Sequence, residues 1–233
     1  MDAVYNVSTT TAVDDRAESL PDAGERPTEA QRVYLTLKRE ILAGRFRPGE
    51  PLQEVRIATQ YGASRTPVRE AFFRLSADGL LEMTPRRGAT VKQPTIRDFL
   101  DVNELRGLLE PVAARMAALS IPAGEIAALI ASHAAIARDR PLEPDFIALE
   151  ELDRRMHATI AASLTNRRIA GILDGMNDMM QIVRQRDMRE RHTELHDSIG
   201  DILGALARHE SEAAEQLMRR HVEDFGGVLP RLV

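Results

Sequence analysis

The 233-residue chain reads as a mainly α protein, a small helix-and-hairpin domain followed by an all-helical bundle of six to seven helices. Three observations predict this. Aromatic residues are 4% of the chain and Trp is missing, beside abundant Ala, Leu and Arg; such a composition packs helices through aliphatic side chains rather than building a sandwich or barrel. Apolar residues recur at helical spacing over most of the chain, and strand-like runs are confined to the stretch 80–91. Charge is unevenly divided: residues 30–93 hold 12 Lys or Arg against 6 Asp or Glu, within a chain of net charge -5.

Residues 1–29, rich in Ser, Thr and acids and without apolar periodicity, read as a disordered arm. From Ala30 the spacing of Val33, Leu35, Leu37, Ile41 and Leu42 predicts a first helix, stopped near Gly44 and followed by the turn Arg47-Pro48-Gly49. A second helix is expected over Glu54 to Tyr61, closed by Gly62. Ser64 is placed to cap a third, running to about Asp78 and ended by Gly79. Leu80 to Met83 and Ala89 to Val91 flank Thr84-Pro85-Arg86-Arg87-Gly88 as a two-stranded hairpin with a basic tip. Together these elements predict a winged helix-turn-helix over 30–93. Pro94 breaks the chain, and 94–233 carries helical periods at about 95–119, 124–138, 144–164, 167–189, 190–208 and 210–228.

The basic block points to a polyanion partner, with a chance surplus of solvated Arg as the alternative. In a helix-turn-helix, the second helix enters the major groove N-terminus first. The third predicted helix carries Arg65, Arg69 and Arg74, and Arg65 and Arg69 are four apart and share a face. Arg can bond guanine O6 and N7 bidentately, so these two are candidates for base reading. Ser64 and Thr66 stand where hydroxyls and unpaired amides can hold a phosphate, and Pro67 is tolerated in the first turn. Arg86 and Arg87 would reach the minor groove or backbone. Without Cys there is no disulfide framework and no thiolate metal site, so a cytoplasmic setting is expected and any metal must be held by His and carboxylates. No stretch reads as a signal peptide or membrane span.

The stretch Ile41 to Val91, with GASRTPVREAFFRLSADGLL and PRRGATV, resembles the winged helix-turn-helix of GntR-type bacterial transcription regulators, and SRTPVREA carries the resemblance most specifically. It implies DNA contacts from Arg65, Thr66 and Arg69 in the recognition helix, and from Arg86, Arg87 and Gly88 in the wing; Ser64 and Pro67, at the same helix start, complete the candidate DNA-binding residues. One departure is Phe72-Phe73, where the family more often has Ala-Leu; Phe73 is expected in the core.

In the second half, Asp153 and His157 are spaced i, i+4 and project from one helix face, the geometry of two metal ligands or of a surface hydrogen bond. His192 and His196 repeat that spacing, and the last helix adds His221; a bundle can direct such side chains to one centre. His133 and His209 lie in polar settings and read as surface residues. The segments ELRGLLEPVAARMAA, LDRRMHATIAASLTNRRI and MRRHVEDF resemble the FCD ligand-binding domain of the FadR subgroup. That resemblance implies a divalent metal (Zn, Ni, Mn or Fe) held by an Asp and three His, completed by a small organic acid effector. Asp153, His157 and His221 match the pattern. The usual spacing back from His221 falls on Ile199, so the third ligand is taken as His196, one turn earlier, with His192 as fallback. Arg106 is the candidate effector-binding residue, a surface pair with Glu110 being its alternative. The whole reads as a homodimeric regulator, a repressor by expectation, on a palindromic double-stranded DNA operator. A metal-dependent hydrolase or isomerase with an appended DNA-binding domain is the rival, disfavoured because no HExxH glutamate or comparable base is present.

Overall fold

A computed structural model describes residues 27–84, 88–139, 141–183 and 192–226. The arm before residue 27, the wing-tip residues Arg86 and Arg87, and the expected ends of the helices at 189 and 228 lie outside the described residues. The mainly α expectation holds. In order, the elements are α1 (Glu29–Leu42), β1 (Pro51–Leu52), α2 (Glu54–Tyr61), α3 (Arg65–Ala77), β2 (Leu81–Thr84), β3 (Gly88–Val91), α4 (Ile96–Ala117), α5 (Ala123–Ala134), α6 (Glu143–Ala162), α7 (Arg167–Val183), α8 (His192–Ala207) and α9 (Ser211–Gly226).

Helix α1 begins at a capping box, in which Thr28 accepts from the Gln31 amide and the Gln31 side chain answers the Thr28 amide. It buries Val33, Leu37 and Ile41 against Ile57 of α2, Val68, Phe72 and Leu75 of α3 and the inner face of the sheet. Gly62 closes α2 in the left-handed conformation, φ 60°, which glycine adopts without penalty. The sheet has the antiparallel order β1-β3-β2. At Gly88, φ is 97° and a Cβ would fall 2.2 Å from the Leu52 carbonyl oxygen, so the crossing of β3 over β1 demands glycine there. The segment Lys92-Gln93-Pro94 leads into α4, where Thr95 and Asp98 form a second capping box and Lys92 pairs with Asp98 at 2.7 Å.

The helical half has its own core, in which Met156 and Ile160 of α6, Leu173 of α7, Ile199 and Ile202 of α8, and Met218 and Val222 of α9 are buried. Helix α4 lies chiefly along α9, α8 between α5 and α9, and α6 on α7. The two halves meet where α1 touches α7. Lys38 pairs with Asp178 at 2.5 Å, and Gln181 donates to the Leu42 carbonyl at 3.3 Å. Among the described residues no helix is long and apolar enough to cross a membrane.

Candidate functional site

The first site is the outer face of α3. Ser64, Arg65, Thr66 and Arg69 are exposed, and Ser64 makes no side-chain cap, so its hydroxyl and the first amides of α3 face outward. Pro67 is buried in the core of the N-terminal half, so this position shapes the helix start and does not offer a contact surface. Phe73 also departs from expectation. Phe72 fills the core at 0% exposure, whereas Phe73 is 57% exposed; it follows Arg65 and Arg69 at i+8 and i+4, so helical geometry carries it onto the same outer face. Arg74 turns away and lies 4.6 Å from the Tyr34 ring centroid. A signal not read from the sequence is Glu54 at the start of α2, which accepts from Arg69 Nε at 2.7 Å and from Arg65 Nη2 at 3.2 Å.

The second site is buried in the helical half. Asp153 and His157 on α6 meet His221 on α9: His157 Nε2 lies 3.2 Å from His221 Nε2 and 3.5 Å from Asp153 Oδ1, and His221 Nε2 lies 3.1 Å from Asp153 Oδ1. All three residues are buried. The other ring nitrogens have fixed partners. His157 Nδ1 donates to Glu110 Oε2 at 3.1 Å. Ser198 Oγ donates to the Leu195 carbonyl at 3.0 Å and therefore accepts from His221 Nδ1, also at 3.0 Å. In the neutral rings, these partners assign both Nε2 atoms as lone-pair bearers. Three electron-rich atoms thus face one another in a site closed to water.

Arg106 flanks the cluster at 0% exposure. Its Nε and Nη2 donate to the two oxygens of Glu110 at 2.8 and 3.2 Å, and Nη2 also lies 3.2 Å from His157 Nε2. The Arg106–Glu110 pair is therefore internal, not a surface pair. Burial works against the Glu110 carboxylate, but Arg106 and His157 outweigh it and hold its pKa well below the usual range. For His157, burial opposes protonation while Glu110 and Asp153 favour it, and the balance raises its pKa. His221, buried and beside His157 and Arg106, is pushed below its ordinary value despite Asp153.

His196 does not join this group. Three residues from position 199, it is turned by about 60° and displaced by about 4.5 Å along α8, which directs it to α5. There its ring lies 4.0 Å from that of His133, whose Nε2 contacts the His196 carbonyl oxygen at 2.9 Å. Ile199 is buried in the hydrophobic core of the helical half at 0% exposure. The fallback His192 likewise lies apart, its Nε2 2.8 Å from the Ala137 carbonyl oxygen. His133 is half-buried, and His209 is exposed with Nδ1 2.7 Å from the Ala118 carbonyl oxygen.

The donor set suits a divalent ion. Ligands bound at about 2.0–2.2 Å stand about 3.0–3.5 Å apart around an octahedral or tetrahedral centre, which matches the separations of 3.1, 3.2 and 3.5 Å among Asp153, His157 and His221. Two imidazoles and a carboxylate leave coordination positions for further ligands.

Comparison with known proteins identifies the two halves of the chain. Residues 29–91 match the family described as bacterial regulatory proteins, gntR family, and residues 101–224 match the FCD domain. The chain is 32% identical to the "Probable D-xylose utilization operon transcriptional repressor" of Paenarthrobacter nicotinovorans, over 86% of this chain and 88% of that protein. It is 28% identical to the HTH-type transcriptional repressor RspR of Escherichia coli K12, over 84% and 86%. Among solved structures, E. coli McbR/YncC superposes with a TM-score of 0.73 at 20% identity, covering 89% of this chain and 99% of that one, which shows a shared fold. FCD domains bind small-molecule effectors and in some cases a metal. The chain is a DNA-binding transcription regulator rather than an enzyme, and it belongs to the GntR family of bacterial regulatory proteins, with an FCD domain as its C-terminal half.

Proposed function

We propose that the chain is a cytoplasmic repressor that binds a palindromic operator as a homodimer and is controlled by a small carboxylate bound at a divalent metal centre. The observation that carries the metal and effector reading is the buried meeting of Asp153, His157 and His221 beside Arg106. A divalent ion there would be held by the two Nε2 atoms and the carboxylate, and would supply a Lewis-acid position for an anion. Arg106 Nη1 is buried and has no hydrogen-bond partner among the described residues, so an acceptor oxygen of such an anion would satisfy it. Ion and guanidinium together bring three positive charges against two carboxylates, so an anion is also favoured by charge. In the N-terminal half, Arg65 and Arg69 would read bases while Ser64, Thr66, Arg86, Arg87 and Gly88 would position the backbone.

Dimerisation is supported by the outer face of α4. Leu105, Leu108, Val112 and Met116 are exposed there at steps of 3, 4 and 4 residues, and exposed Leu119 follows just past the helix end, an apolar stripe suited to a second copy of the same helix. Calorimetric titration of mono- and dicarboxylates tests the effector reading. Binding is expected to the metal-loaded protein and to be lost on metal removal and in Asp153→Asn; equal binding in all three overturns it.

A further inference from the structure

Glu54 is an acid set into the face that meets a polyanion. It begins α2, and its carboxylate reaches across the turn to α3, where Oε1 accepts from Arg69 Nε at 2.7 Å and Oε2 from Arg69 Nη2 at 2.8 Å and Arg65 Nη2 at 3.2 Å. The Glu54 side chain is 13% exposed while those of Arg65 and Arg69 are 64% and 54% exposed. The acid is thus the buttress at the back and the two guanidiniums are in front. Beyond it opens a groove of about 810 Å3 between α2, α3 and the hairpin, lined by Arg65, Arg69, Phe73, Met83 and Gly88. Hydrogen bonds from Arg69 and Arg65 outweigh partial burial and lower the carboxyl pKa, so Glu54 carries its charge at neutral pH.

An exposed ion pair adds little stability, and a negative charge at this place repels phosphate. Its geometry offers something else. A guanidinium has two forked edges, one formed by Nε with an Nη and one by Nη1 with Nη2. Glu54 occupies the first edge of Arg69 and leaves the second, which matches guanine O6 and N7. Arg65 gives up a single Nη2 hydrogen and keeps the rest of its fork.

We propose that Glu54 is a positioning residue that sets DNA specificity: it fixes the planes of Arg65 and Arg69 for guanine and cancels part of their charge, so that phosphate alone recruits them weakly. This rests on Arg65 and Arg69 being the base readers. Discrimination then arises because only a correctly spaced pair of acceptors engages arginines that are already turned and already partly neutralised.

The test uses the full chain, a duplex selected by it from a random pool, a shuffled duplex of equal length, and versions of the selected duplex with single guanine-to-adenine changes. Binding is measured over a salt series for wild type, Glu54→Gln, Glu54→Asp, Arg65→Ala and Arg69→Ala, with circular dichroism as the control for folding. Glu54→Gln should bind the shuffled duplex about three- to ten-fold more tightly, with a salt slope steeper by about one phosphate contact, and its preference for the selected duplex should fall about ten-fold. Glu54→Asp keeps the charge but shortens the reach, so it should keep weak shuffled binding and still lose discrimination at the guanine positions. Equal weakening on both duplexes, or an unchanged preference in both folded Glu54 variants, overturns the proposal. If Arg65→Ala and Arg69→Ala leave base preference intact, the base-reader assignment itself fails and Glu54 has nothing to position.

Discussion

Replacing Arg106 by Met removes the positive half of an internal ion pair and leaves Glu110, 3% exposed, without its bidentate partner. Breaking a buried pair from one side costs about 3–5 kcal/mol, because the remaining charge stays desolvated. That is a large part of the stability of an ordinary domain, about 5–15 kcal/mol. The double change Arg106→Met with Glu110→Met removes both charges and replaces them with side chains of similar reach. It forfeits the bond from His157 Nδ1 to Glu110 at 3.1 Å, worth about 1.5–3 kcal/mol as a bond to a charged group. The double variant should therefore be more stable than Arg106→Met, with a coupling of at least about 1 kcal/mol between the two positions. Urea unfolding of wild type, Arg106→Met, Glu110→Met and the double variant in chelator, which keeps metal linkage out of the comparison, gives the four free energies of the cycle. A loss below about 1 kcal/mol in Arg106→Met, the range of an exposed pair, or strictly additive losses, would refute the internal pairing on which the effector site rests.

Arg65→Ala and Arg69→Ala should each weaken operator binding by about 1–3 kcal/mol and relax base preference at one position, as read by binding to operators with single base changes; unchanged preference contradicts the assignment. Metal content by elemental analysis should fall in Asp153→Asn, His157→Gln and His221→Gln and persist in His196→Gln, since His196 lies against His133. Metal binding requires a neutral His157, whose pKa is raised in the metal-free protein by Glu110 and Asp153 against the effect of burial. Affinity should therefore fall about ten-fold per pH unit below that raised pKa, with one proton released per ion; a pH-independent affinity across the acid range contradicts this. Leu108→Glu, at a position 64% exposed on the α4 stripe, should shift the protein toward monomer in sedimentation, and an unchanged dimer would place the interface elsewhere.

Much of the N-terminal half was legible because its signals are local. Gly62, Ser64 and Gly79 mark helix ends where the backbone needs them, and α2 spans Glu54–Tyr61 as its period predicts. β1 was not predicted, since the two residues Pro51–Leu52 are too few to show alternation. The exposure of Phe73 follows from its spacing to Arg65 and Arg69, although its apolar chemistry alone points to the core. Asp153, His157 and His221 come together as expected. His196 does not, because helical periodicity fixes which residues share a face but not which neighbour that face meets. For the same reason an Arg and a Glu four apart gave no sign that Arg106 and Glu110 are internal. The role of Ser198 and the reach of Glu54 to α3 depend on contacts between elements and had no periodic signature.

Control of operator affinity by the buried cluster of the helical half would run through the contact of α1 with α7. The most direct measurement is operator affinity of the metal-loaded protein titrated with the carboxylate that binds it, beside metal-stripped protein and Asp153→Asn. Saturating carboxylate should weaken operator binding of the loaded wild type by about 5- to 150-fold, the range of ordinary allosteric coupling, and leave Asp153→Asn unaffected. Operator affinity that stays constant while the carboxylate binds at the metal centre would contradict it.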